Sequence, residues 1–147
     1  MNESFKLFLT NKTLWIPFFL WLSIQLYKTI YELIKTRKFN FKRIMGAGGM
    51  PSSHSAVVSS LAMLTGKEEG FDSAVFAIAV IFAFVVMYDA AGVRRAAGKQ
   101  ATILNKIIST PGLTDVEVKE RLVEALGHSP FQVIIGALIG VVVGIVA

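Results

Sequence analysis

The chain has 147 residues, of which 54% are hydrophobic and only 17% charged, with a mean hydropathy of +0.60; a soluble domain would carry about 25% charge. Its 15 Lys and Arg against 10 Asp and Glu suit the basic cytoplasmic loops of a membrane protein and argue against nucleic-acid binding. With no cysteine, disulfides and thiolate metal sites are excluded.

Residues 1–13 mix Glu3, Lys6 and Lys12 with Phe5, Leu7, Phe8 and Leu9 and lack a small-residue cleavage site. They read as a retained interfacial stretch rather than a signal peptide. Apolar runs then follow over about 14–34, 51–65, 71–88 and 130–147, near the roughly 20 residues that cross a bilayer. The first carries Trp15, Trp21, Tyr27 and Tyr31 near its ends, where amphipathic rings favour the interface. The expectation is an all-α integral-membrane bundle with about four transmembrane helices and one domain over 1–147. A buried soluble helical core is the alternative.

After the first run come Lys35, Arg37, Lys38, Lys42 and Arg43 with no acidic neighbour, so this loop is cytoplasmic by its charge. Gly66-Lys67-Glu68-Glu69-Gly70 turns the chain on the opposite side. Residues 89–129 return to the cytoplasm with Arg94, Arg95, Lys99, Lys106, Lys119 and Arg121, which leaves both termini outside. A helical insertion is expected over about 101–127. Its first helix spans 101–109 and breaks at Pro111-Gly112. A second starts at the capping box of Thr114 and Glu117, presents Val118, Leu122 and Leu126 on one face, and ends at Gly127.

This topology brings three polar clusters to one membrane face. Gly46-Ala47-Gly48-Gly49-Met50-Pro51-Ser52-Ser53-His54-Ser55 opens the second run. Its glycines permit a sharp turn, Pro51 suits a first helical turn, and the hydroxyls of Ser52 and Ser53 with free amides form a place for phosphate. Asp89 to Arg95 closes the third run, and His128-Ser129-Pro130 begins the fourth, with Ser129 as cap and Pro130 in the first turn. His54 and His128, the sole histidines, could divide an in-line phosphoryl transfer, one as nucleophile and one as acid to the leaving oxygen.

Arg94 and Arg95 offer guanidinium groups to phosphate, with Lys99 about a turn on and Lys42 from the first basic loop. Adjacent helical residues point about 100° apart, so the two arginines do not both face one site, and Arg94 is favoured. Asp89 would orient an imidazole or pair with an arginine. Gln100 and Asn105 receive no role beyond hydrogen bonding. No metal-ligand spacing or cofactor motif occurs.

These residues resemble the divergent, bacterial and plant branch of the type 2 phosphatidic acid phosphatase and vanadium haloperoxidase superfamily. The resemblance rests on Gly48 to Ala56, Asp89 to Ala101 and Gly127 to Pro130. In the wider superfamily a K-x6-R-P box supplies a lysine and an arginine. A P-S-G-H box supplies backbone contacts and the acid histidine, and an S-R-x5-H-x3-D box an arginine, the nucleophilic histidine and its aspartate. The resemblance implies that His54 is the acid, Ser52 and Ser53 lie on the phosphate loop, and His128 is the nucleophile. Arg94 or Arg95 then replaces the third-box arginine. Three departures stand out: Ser53 replaces glycine, Gln132 replaces the acid, and no Arg-Pro exists. Lys35 and Lys42 are the nearest substitutes for the first box.

The implied function is that of a membrane phosphatase acting on a lipid phosphate or diphosphate through phosphohistidine, in the plasma membrane and on its cytoplasmic face. Membrane lipids are the partners, and homo-oligomerisation stays open. The alternatives are a non-catalytic protein binding anionic headgroups and a lipid-phosphate transporter.

Overall fold

The computed structural model describes residues 2–39, 48–110, 122–124 and 126–147. Among them the chain forms six helices and no strand: α1 (Glu3–Thr10), α2 (Lys12–Thr36), α3 (Ser53–Glu69), α4 (Ala74–Ala91), α5 (Val93–Ser109) and α6 (Pro130–Val146).

α1 is short and exposed along its whole length, and meets α2 at a 47° bend. Asn11 makes the elbow by accepting the Leu14 amide at 3.0 Å, while the Trp15 indole donates to the Phe8 carbonyl at 3.0 Å. α2 ends where Arg37 turns left-handed (φ 54°).

α3 is the central element, packed by α2, α4 and α6. Its serines and alanines keep it thin, and Ala56, Val58, Ser59, Ser60, Ala62 and Leu64 are all buried. The tightest contact is with α6, through Gly136, Gly140 and Gly144 at four-residue spacing. A methyl group at Gly140 would run into the Ala56 carbonyl, and one at Gly136 into that of Ser52. Small residues thus let two backbones touch, as helices in lipid commonly do. At the far end of this pair Lys67 donates to the carbonyls of Gly144 (3.3 Å) and Ile145 (3.0 Å), closing the last turn of α6.

α4 decides the environment. Only Ala83 and Ala90 are buried on it, while Ile78, Ile81, Phe82, Phe84, Val85 and Tyr88 point outward, each more than half exposed. Together α4 and α5 form a 36-residue helical stretch that holds an 18-residue window of mean hydropathy 2.3, of which 11% is buried within the bundle. A soluble core would show the reverse, so this is a membrane helical bundle. The four expected apolar runs fall on α2, α3, α4 and α6. α3 runs one turn past the expected limit near Thr65 to Glu69, and Gly70 (φ 95°) ends it.

One expectation is corrected. Residues 122–124 and 126 are not helical, so Leu122 and Leu126 do not share a helix face. Instead this segment lies along α5, whose Asn105 side chain donates to the Leu122 carbonyl (2.9 Å) and accepts its amide (3.0 Å). Asn105 also donates to Glu124 at 2.8 Å, and Thr102 to the same carboxylate at 3.1 Å. Gly98 lets the strap lie close, since a methyl there would meet the Glu124 and Leu126 carbonyls. The side-chain amide satisfies backbone groups that a helix would have satisfied internally. The capping box of Thr114 and Glu117 and the break at Pro111-Gly112 lie outside the described residues.

Candidate functional site

The site gathers at the end of the bundle where α2 and α4 finish and α3 and α6 begin. Gly48 (φ 97°) and Gly49 (φ 78°) swing the chain into a cis Met50-Pro51 peptide. Because α3 opens at Ser53 with Ser52 as its cap, Pro51 precedes the cap instead of occupying the first helical turn. Ser52 is the cap: its fully buried hydroxyl oxygen accepts from the Ser55 amide (3.3 Å) and the Ser55 hydroxyl (2.9 Å). Ser52 thus shapes the loop from within. Ser53 is buried beside it, and the amides of Ser53 and His54, opening α3, have no intrahelical acceptor.

His128 arrives from the other side, held by three contacts. Its amide donates to the Ala90 carbonyl at 2.9 Å. Gly127 (φ 83°) packs on the Arg94 and Arg95 backbone so closely that a methyl would overlap it. Ser129 caps α6, accepting the Gln132 amide at 3.3 Å, while the Gln132 side-chain oxygen accepts the Ser129 amide at 3.0 Å. The reciprocal cap of α6 and the docking to α4 fix the imidazole between them.

The two imidazoles meet edge to face, with ring centroids 5.9 Å apart and planes at 61°. His128 is 3% exposed. Both its ring nitrogens, and Nδ1 of His54, are buried without a well-formed hydrogen bond among the described residues. The Gln132 side chain and the Gly49 backbone stand beside His128 in looser geometry. Burial pushes His128 down to about 4, Lys28 and His54 push the same way, and Gln132 and Gly49 oppose them. His128 is therefore neutral at pH 7.

Arg94, Lys28 and Asp89 are the charged neighbours of His54. Asp89 does not hold an imidazole; its carboxylate takes the Arg94 Nε at 2.5 Å. The Gln132 oxygen serves the α6 cap and stands near His128 without a well-aligned hydrogen bond to it. Arg95 and Lys99 are exposed on α5 and are not brought to the histidines. Lys42 lies outside the described residues, as do Arg43, Gly46 and Ala47.

Lys28 is the group that sequence reasoning missed. It sits in α2, 3% exposed, and acts on both imidazoles. It also lines a cavity of about 860 Å³ between α2, the Gly49-Met50-Pro51 turn and α6. The imidazoles are not in that cavity's wall, but Lys28 and Gly49, which neighbour His128, are. Two signals were legible: an ionisable residue within an apolar run, and its position seven before Lys35, the first-box spacing. Among the described residues no three His, Asp or Glu side chains are grouped to hold a metal ion.

A profile described as "Divergent PAP2 family" matches residues 9–143, a stretch that contains every part of this site. The chain belongs to the divergent PAP2 family. It is also 39% identical over 133 residues to the uncharacterized membrane protein YuiD of Bacillus subtilis (strain 168), covering 83% of this chain and 84% of that one. No solved structure matches. Family and relative agree with the outward-facing apolar helices: this divergent PAP2 chain is a membrane protein.

Proposed function

We propose that the chain hydrolyses a lipid phosphate or diphosphate at one membrane face through a phosphohistidine. The observation that carries this reading is the meeting of His54 and His128 at 5.9 Å, with Lys28 beside both and Arg94 beside His54. Neutral His128 has a lone pair for phosphorus. As its ring nitrogen bonds to phosphorus, the bond to the lipid oxygen breaks and His54 gives that oxygen a proton. Water then attacks the phosphorus with His54 as base, the P–N bond breaks, and inorganic phosphate leaves. Lys28, Arg94 and the opening amides of α3 offset charge on the phosphoryl oxygens. Basic residues at this end, among them Lys35, Arg37 and Lys38, support a cytoplasmic placement in a multi-pass arrangement.

The test is release of inorganic phosphate from long-chain lipid phosphates by the purified chain. The expected result is turnover that falls at least about a thousandfold in His128→Ala. No release by verified folded protein, from lipid or soluble phosphates, removes the hydrolase reading. One observation favours a competing role, headgroup binding without turnover: no carboxylate contacts His128 among the described residues. That role predicts lipid-phosphate binding that survives in a protein with no release.

A further inference from the structure

Asn105 is 7% exposed, although it lies on α5, which packs on α4 alone among the described helices. Its amide is fully committed. The oxygen accepts from the Leu122 amide at 3.0 Å, and the nitrogen donates to the Leu122 carbonyl at 2.9 Å and to Glu124 at 2.8 Å. Thr102 donates to the other oxygen of that carboxylate at 3.1 Å. Gly98 then backs onto the carbonyls of Glu124 and Leu126, and the Arg94–Arg95 backbone onto Gly127. The His128 amide closes the series on the Ala90 carbonyl at 2.9 Å. Positions rise from 122 to 128 as their partners fall from 105 to 90, so these anchors run antiparallel to the helix and end at His128. Asn105 to Arg95 is about 15 Å of helix at 1.5 Å per residue. The chain from Leu122 to Gly127 can span at most about 17–18 Å. The two lengths nearly coincide, which leaves little slack between the anchors.

We infer that Asn105 is a positioning residue for His128: by binding both backbone groups of Leu122 it fixes the far end of the segment whose near end carries the imidazole. The inference rests on the reading of His128 as the nucleophile. Its hydrogen bonds go to the segment and not to an imidazole, so it acts through Leu122, Glu124 and Gly127. With so little slack, a shift at Leu122 is carried to Gly127, and a nucleophile displaced by about 1 Å loses about a hundredfold in rate. A carboxamide suits the task because it presents donors and an acceptor together. Aspartate has the same shape but lacks the donors, and it would set a carboxylate against the Leu122 carbonyl and Glu124.

The test compares Asn105→Asp with wild type as full chains in phosphatidylcholine vesicles, by amide hydrogen exchange and by phosphate release from a long-chain alkyl phosphate. Exchange at the His128 amide is expected at least about tenfold faster. kcat falls by about a hundredfold at unchanged KM, because Lys28 and the opening amides of α3 are untouched. Glu124→Gln added to Asn105→Asp removes the opposed carboxylates and recovers part of kcat. Lys106→Ala, exposed on the same helix, changes neither readout. Circular dichroism verifies the folds, and if Asn105→Asp does not fold, Thr102→Val gives the same comparison with exchange about fivefold faster. A purely local role would speed exchange at Leu122 and leave His128 as it was. That result, or a kcat unchanged in the variant, overturns the inference. Faster exchange at His128 with no release from wild type sustains the anchoring and removes the hydrolase reading; release with exchange at His128 unchanged does the opposite.

Discussion

Burial of an imidazole next to an ammonium has a consequence that titration reads directly. His128 loses hydration and faces Lys28, so its cation is disfavoured and its midpoint sits at about 4 in place of 6.5. Because the folded form holds its proton less tightly than the unfolded chain, this residue's contribution to stability is full above pH 6.5. It is lost as pH falls from 6.5 towards 4. Imidazole NMR in micelles should show His128 still neutral at pH 5, and Lys28→Met should raise its midpoint, because a repelling charge is removed. A wild-type midpoint near 6.5 would contradict the burial described. Gln132 allows a second prediction. Gln132→Glu keeps an oxygen for the Ser129 amide and adds a negative charge beside His128, stabilising its cationic phospho form. Phosphate release should rise on the order of tenfold or more, measured as kcat; a fall in kcat with the α6 cap intact would count against His128 as nucleophile. At this scale the histidines were legible because they are scarce and sit at helix mouths. Lys28 was hidden by its setting, since Tyr27 and Tyr31 around it read as an interfacial end of a span. Of the two partners open to Asp89, an imidazole or an arginine, the structure pairs it with Arg94 by a five-residue reach across the α4–α5 break at Gly92, which linear spacing does not show.

Among the elements, α3 and α6 set the position of everything else. Their backbones approach through Gly136, Gly140 and Gly144, and their first turns carry His54 and the cap that follows His128. Gly140→Leu puts a branched side chain against the Ala56 carbonyl and should cost at least about 1–3 kcal/mol, seen as a lower Tm in detergent. Phosphate release should fall with it, because the histidines separate before the bundle unfolds. A variant with unchanged Tm would mean that the two helices do not touch there. Helix positions were readable from apolar runs and from Ser129 as a cap, since both are local properties. The glycine spacing was present in plain view, but its meaning required a partner helix. The segment at 122–124 and 126–127 was misread for a related reason. Leu122 and Leu126 have helical spacing, yet the Asn105 amide, 17 residues earlier, competes successfully for the Leu122 backbone.

The whole molecule brings two helix starts and two helix ends to one end of a bundle whose outer surface is apolar. Alternating helix direction makes that convergence automatic for α2, α3 and α4, and the His128 amide bonded to the Ala90 carbonyl places the start of α6 at the same end. The fold class and the meeting of the polar clusters therefore followed from hydropathy and helix order. The groove beside them did not, because it exists only between helices far apart in sequence. The central claim is that one phosphorus can be shared by His54 and His128. Its most direct test is a rapid acid-free quench of the full chain in vesicles with a lipid phosphate radiolabelled at phosphorus, followed by peptide mapping. Alkali-stable, acid-labile label on the peptide carrying His128, absent in His128→Ala and slower to form in His54→Ala, is the predicted result. Label that forms unchanged in His128→Ala, or no label at all while phosphate is being released, would contradict it.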